Sequence, residues 1–229
     1  MRILALDTAT ESCSAALLIN GHLAGRELEL GRGHAERILP MIDELLAEAG
    51  TSLGTLDAIA FGRGPGGFTG VRLAASVTQG LAFGAGLPVV PVSDLAAVAQ
   101  RLVGEGDAPH RVIVCNDARM REVYWACFEH TEGLATLVGE ERVASPETVT
   151  VPSAWTSGAI IGAGRGFSAY PELRNRLESR LAAVHERLLP RAHEIAVLAV
   201  PVLQAGRAVT SEQAVPVYLR DRVAQPAER

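Results

Sequence analysis

Apolar residues crowd or alternate over short stretches at the start of the chain, and helical spacing takes over further on. Residues 2–7, RILALD, predict a buried strand ending on a carboxylate. After a short Thr-rich turn, SCSAALLI (12–19) predicts a second strand. Asn20-Gly21 is a two-residue hairpin signal, because both positions tolerate positive φ. HLAGRELEL returns as a third strand, so the chain opens with an antiparallel meander. In HAERILPMIDELLAEAG, Ile38, Leu39, Met41, Ile42, Leu45, Leu46 and Ala49 have helical spacing and Gly50 is a stop. Pro40 predicts a kink or a late start in that helix. LDAIAF (56–61) predicts a strand, and the glycine-rich GRGPGGFTG leads into a helix over VRLAASVTQGLAFGAG with Thr69 as N-cap. Gly80 inside this helix costs stability and predicts close approach by another helix. PVVPVS then gives a strand and DLAAVAQRLVG a helix.

The plan repeats from near Ala108. RVIVCND (111–117) is again a strand ending on Asp, and EVYWACFEH (122–130) alternates after a short turn, as the first two strands do. This predicts a duplicated α/β unit. A strand at AIIGAG (159–164) and helices over 172–188 and 193–205 complete the second unit. The tail around Val215-Pro216-Val217-Tyr218-Leu219-Arg220 is apolar enough to pack back on the body. The expected division is 1–106 and 107–229, the second part with the tail folded back.

Composition narrows the chemistry. The 229 residues are 48% hydrophobic, ample for a core. All 21 basic residues are arginine, which excludes Schiff-base lysine chemistry, a complete Walker A loop and the protein-kinase lysine. A net charge of −5 argues against a chain that grips RNA by itself. Cys13, Cys115 and Cys127 form no C-x-x-C pair and read as reduced, buried thiols. Asp7 would interrupt a signal-peptide core and no apolar run is long enough to span a bilayer, so the expected location is cytoplasmic, without membrane contact.

The loop Gly62-Arg63-Gly64-Pro65-Gly66-Gly67-Phe68-Thr69 has three readings. Gly62, Gly64 and Gly67 satisfy G-x-G-x-x-G, but Pro65 removes an N–H and the preceding chain is not the first βαβ unit of a dinucleotide fold. Gly62 to Gly67 has Walker A spacing, but Phe68 stands at the lysine position. The third reading is structural: a turn that lets the next helix pack tightly and aims Thr69 and Arg72. On the residues alone it leads. Asp7, Thr8 and Thr10 suit either a nucleotide site or a vestigial turn whose hydroxyls satisfy the backbone, and the turn is favoured. Asp117, Arg119 and Glu122 suit a carboxylate cluster, a partner surface or a charged turn, and the charged turn is favoured.

Five ordered motifs carry a resemblance that covers the whole chain. GRGPGGFTGVRLAASVTQGLA resembles the G-P-G-S-F-T-G-[LV]-R signature of the TsaB (YeaZ) family, with Gly67 where Ser is common. LALDTATESCSAALL, GHAERILPMID, DARMREVYWACF and VPVYLR are similar to the family's other motifs. The resemblance implies an α/β, actin-like (ribonuclease-H-like, ASKHA) duplicated fold with two related mixed-sheet halves. It also implies a dimerisation subunit of bacterial tRNA threonylcarbamoyladenosine synthesis. The partners it implies are the catalytic paralogue TsaD and the ATPase TsaE, with a homodimer when alone and tRNA contact only through the complex. The paralogue's H-x-x-x-H metal pair falls here on Asp94 and Val98, and none of histidines 22, 34, 110, 130, 185 and 193 form an i, i+4 pair.

A helix apolar nearly all round is either buried or paired. The resemblance implies pairing, so that the first two helices of 1–106 form the dimerisation surface, self-associating with two-fold symmetry when alone. The interface expectation names His34, Glu36, Arg37, Ile38, Met41, Leu45, Thr69, Val71, Arg72, Ala75 and Gln79. Ala75→Arg is expected to block pairing without unfolding. No catalytic or metal-ligating residue is assigned. No cofactor is expected to bind this chain tightly, and ATP and Mg²⁺ are left to the full complex. The competing reading is an actin-like ATPase or kinase using Asp7 and Asp117. An old glycoprotease label for this superfamily needs a metal pair the sequence lacks.

Overall fold

The computed structural model describes residues 1–102 and 111–220. Strands β1 (Arg2–Asp7), β2 (Ser12–Ile19), β3 (His22–Glu29), β4 (Ala58–Gly62) and β5 (Val89–Val92) form one sheet in the order β3-β2-β1-β4-β5. Strands β6 (Arg111–Asp117), β7 (Val123–Thr131), β8 (Leu134–Ala144), β9 (Ile160–Ala163) and β10 (Leu181–His185) form a second, in the order β10-β9-β6-β7-β8. Read from the other edge, the second order is the first repeated. In both sheets the first three strands pair antiparallel and the last two join in parallel. The duplication expected from the sequence is therefore present in the strand order. The expected start near Ala108 lies outside the described residues.

Alternation along the strands builds the layers, because successive side chains point to opposite faces. Leu4 and Leu6 pack with Ile38, Met41, Ile42 and Leu45 of α1 (His34–Glu48) and with Ala74, Ala75 and Ala82 of α2 (Phe68–Ala85). Ile3 and Ala5 face the other way, onto Ile195, Ala196 and Ala199 of α6 (Ala192–Gln204). On the second sheet, Val112 and Val114 meet Leu95, Val98 and Ala99 of α3 (Asp94–Gln100). Ile113 and Cys115 meet Phe167 of α4 (Gly166–Ala169) and Leu173 of α5 (Pro171–Leu177). So α3 and α6 lie between the sheets, each against the sheet formed by the other half of the sequence.

Three local expectations change, and of the two readings of Pro40 the late start is ruled out. Thr69 does not cap α2; Gly67 is the N-cap and makes no side-chain cap bond. The helix α1 starts at His34 and runs through Pro40, whose ring faces solvent, where the carbonyl freed by the missing N–H can be hydrated. The helix expected over 172–188 ends at Leu177, and LAAVH forms edge strand β10 because pairing with β9 outweighs its weak local preference. Gly80 is exposed and a Cβ on it would meet nothing within 4 Å, so no helix among the described residues packs against it. The sequence reading also leaves out β8, which follows a tight turn with Glu132 and Gly133 at φ 53° and 79°. The tail does pack back: Val217 N–H donates to the Arg63 carbonyl at 2.8 Å.

Candidate functional site

Two regions hold the residues singled out by the sequence: the outer face of α1 and α2, and the cleft between the halves.

On the outer face the expected interface residues divide. Ile38, Met41, Leu45, Val71 and Ala75 are buried in the chain's own core. An arginine at Ala75 would enter that core and break it, so Ala75→Arg reports on folding rather than pairing. His34, Glu36, Arg37, Thr69, Arg72 and Gln79 reach the surface wholly or in part. The outward stripe of α2 runs Thr69, Arg72, Ser76, Gly80, Phe83 in steps of three and four, the spacing of one helix face. Phe83 is 76% exposed and Phe68 50%, and Leu39 stands out from α1 at 45%. Sequence reasoning leaves out Ser76 and Phe83; the signal for them is that they lie opposite the buried Ala74, Thr78 and Ala82.

Between the halves lies a cleft of about 760 Å³, lined by Thr8, Thr10, His34, Phe68, Asp117 and Tyr218 among others. On its floor the glycine loop packs directly on the turn after β1. Thr8 Oγ1 donates to the Gly70 carbonyl at 2.7 Å, and Gly67 N–H donates to the Ala9 carbonyl at 2.7 Å. A Cβ on Gly70 would stand 2.0 Å from the Thr8 carbonyl oxygen. The glycines thus permit a close approach of chain to chain. Thr10 Oγ1 accepts from Ser12 N–H at 3.2 Å, and His34 Nε2 is 2.9 Å from the Thr10 carbonyl.

Asp7 and Asp117 end equivalent strands but sit differently. Asp117 is at the cleft wall, where it pairs with Arg119 at 2.8 Å and accepts from the Tyr170 hydroxyl at 2.8 Å. Asp7 is fully buried and faces Asp94, also fully buried. Asp7 Oδ1 accepts Ala9 N–H at 2.9 Å, and Asp94 Oδ2 accepts Gly64 N–H. Burial pushes the Asp7 carboxyl up to about 6. Burial, with the adjacent Asp7 charge second, holds Asp94 well above the usual carboxylate range. A Cβ on Gly62 would lie 2.4 Å from Asp94 Oδ1 and 2.5 Å from Asp7 Oδ1, so only glycine fits over the pair. Sequence reasoning reaches Asp94 only as the place of a missing histidine. Its neighbour Arg63 is engaged at 2.8 Å by Glu141, from β8 of the other sheet. Among the described residues, no group of three or more His, Cys, Asp or Glu is arranged to hold a metal ion.

Two sheets of one repeated strand order, with helices outside and a helix pair between, define the actin-like, ribonuclease-H-like class of α/β proteins. Residues 29–228 match the family model described as TsaD: tRNA N6-adenosine threonylcarbamoyltransferase. The tRNA threonylcarbamoyladenosine biosynthesis protein TsaB of Escherichia coli is 43% identical over 98% of this chain and 96% of its own length. The protein of the same name from Haemophilus influenzae is 39% identical over 97% and 95%. YeaZ from Pseudomonas aeruginosa superposes with a TM-score of 0.87 at 46% identity, covering 95% of this chain and 99% of that one. The chain belongs to the TsaB (YeaZ) family.

Proposed function

We propose that this chain works in the synthesis of threonylcarbamoyladenosine in tRNA, as a non-catalytic scaffold subunit. It pairs through the outer face of α1 and α2 with the catalytic paralogue TsaD, and the ATPase TsaE joins the pair. The assembly transfers a threonylcarbamoyl group to the adenosine at position 37 of tRNAs that read codons starting with A. Alone, the chain forms a two-fold homodimer through the same face, and tRNA is held by the complex. The location is the cytoplasm; no helix among the described residues is long and apolar enough to cross a membrane.

The observation that carries this reading is the outward stripe of α2. Phe68 and Phe83, both largely exposed, stand at the two ends of a helix face whose middle is Ser76 and Gly80, and Leu39 projects from the neighbouring helix. Such apolar exposure on a chain with an ample core supports the reading of this face as a pairing surface. The non-catalytic assignment is supported by the filled floor of the cleft. The loop N–H groups of Gly64 and Gly67, which a phosphate would need, are given to Asp94 and Ala9. The test is co-purification with the paralogue and a tRNA modification assay with and without this chain. Ser76→Arg and Phe83→Glu are expected to abolish pairing and modification while leaving the melting temperature within a few degrees of wild type. If both variants pair and support modification normally, the interface assignment fails.

A further inference from the structure

The tail beyond the last helix runs along α2 in the opposite direction. Gln79 Nε2–H donates to the Ala214 carbonyl at 2.9 Å, and one and a half to two turns earlier on the helix Arg72 Nε–H donates to the Tyr218 hydroxyl at 2.8 Å. Between these points Val217 N–H is fixed to the Arg63 carbonyl at 2.8 Å. Residues 214–220 therefore form a strap laid beside the outward stripe of α2.

The strap's end is clamped to the second half. Arg220 donates to the Ala118 carbonyl at 3.2 Å, pairs with Glu122, and lies 3.5 Å from the Met120 sulfur. The turn it grips holds Arg119, Met120 and Arg121 at φ 61°, 54° and 58°. Three successive non-glycine residues in the left-handed region persist only where surrounding contacts over-determine them. Arg220 supplies several of those contacts.

At the start of α2 the Arg72 guanidinium carbon stands 3.4 Å from the centre of the Phe68 ring and 5.5 Å from that of Tyr218. The two ring centres are 6.2 Å apart. The hydroxyl of Tyr218 is thus already used by Arg72, while 48% of the residue stays exposed. Phe68, Tyr218, Val215 and Met120 are four of the nine exposed large apolar residues among those described, and all four lie on the strap or where it touches α2 and the clamped turn.

Resting on the reading of α2 as a pairing helix, we propose that the strap is the second half of the pairing surface. Tyr218 then contacts the same partner, a related two-half chain that presents its own helices. The ring is held in place before binding by Arg72, Val217 and Arg220, so little side-chain freedom is lost on contact. Tyrosine and arginine at the centre of a pre-formed apolar platform are the residue types that dominate binding energy. The strap also joins the pairing face to the turn at 118–122, so a partner seated on α2 touches both halves of this chain.

The experiment measures the affinity of the purified full-length chain for its purified catalytic paralogue, with thermal melting of each variant as the folding check. Tyr218→Ala is expected to weaken pairing about tenfold or more, and Tyr218→Phe by no more than about threefold. Tyr218→Glu covers the case in which Tyr218→Ala loosens the strap. Its carboxylate can hold Arg72 and keep the strap seated, but it puts a charge on the platform and is expected to weaken pairing at least as much. Amide exchange of residues 215–219 is expected to slow when the paralogue is added. Wild-type affinity in both Tyr218→Ala and Tyr218→Glu, with no slowing of strap exchange, overturns the strap assignment. If Ser76→Arg still disrupts pairing in that case, the α2 reading stands alone. A wild-type chain that does not pair at all overturns both.

Discussion

Asp7 and Asp94 face each other with no water-exposed surface, and Arg63, whose charge acts on Asp94, is already committed to Glu141. Glu27 lies on the same side of Asp7 and adds to the upward push. The folded state therefore holds a proton on Asp7 up to about pH 6, where an unfolded carboxyl has lost it near 3.8. A raised carboxyl contributes its full stability below the unfolded value and loses it as pH climbs through the folded one. This contribution should fade between about pH 4 and 6 and be a penalty above that. Asp7→Asn, which keeps the size and the bond from Ala9, is expected to melt several degrees above wild type at pH 8, with the gap closing at pH 4. A difference of about two pKa units corresponds to roughly 3 kcal/mol as an upper figure. Equal melting temperatures of the two chains at both pH values would sink the assignment of a raised Asp7 carboxyl. The sequence showed Asp7 plainly, as the polar end of an apolar strand. It could not show Asp94 as its neighbour, because the 86 intervening residues must fold before α3 delivers that carboxyl. Ser93 is what fixes α3 there, its hydroxyl accepting the Ala96 N–H at 3.1 Å.

Among the elements, α2 illustrates how far spacing alone can be read. Its existence and extent were legible from VRLAASVTQGLAFGAG, but not which of its small residues face inward. Alanine, serine and glycine carry too little hydropathy contrast to mark a buried face, so Ala75 and Ser76 look alike in sequence and differ entirely in burial. The same ambiguity hid β10, whose short apolar stretch LAAV becomes strand or helix according to its neighbours. The glycines of α2 now separate into two kinds. Gly80→Ala adds a methyl where nothing lies within 4 Å and should raise the stability of the isolated chain by about 0.5–1 kcal/mol while weakening pairing. Gly70→Ala drives a methyl into the Thr8 carbonyl at 2.0 Å and should destabilise by several degrees. Chemical denaturation of both variants checks the pair. A Gly70→Ala chain as stable as wild type would mean that loop and turn can separate at no cost.

For the molecule as a whole, the repeated plan of strand, Asp, turn and strand showed the duplication and the motifs implied the actin-like class, while the strand order came only with the structure. The exchange of α3 and α6 between sheets was hidden, because helical periodicity says which face is apolar and not which sheet receives it. We propose the division 1–106 and 107–229 as a grouping of sequence rather than of independently stable bodies. Residues 1–106 made alone would leave Ile3, Ala5, Ala58, Ala60 and Val90 uncovered, since Ile195, Ala196 and Ala199 come from the other part. That fragment is expected to lack a cooperative thermal transition by circular dichroism, and adding 107–229 in trans should restore one. A sharp melt of 1–106 by itself would contradict this. The borrowed helix also sets a timetable for synthesis. At about 5–20 residues per second, the roughly one hundred residues between the first sheet and α6 take on the order of 5–20 s to be added. Through that interval the nascent first half carries a bare apolar sheet face outside the ribosome, the kind of surface that general chaperones hold. The chain's exposure to misassembly is thus greatest before its final quarter has been made, and it ends when a helix encoded far downstream closes the first half.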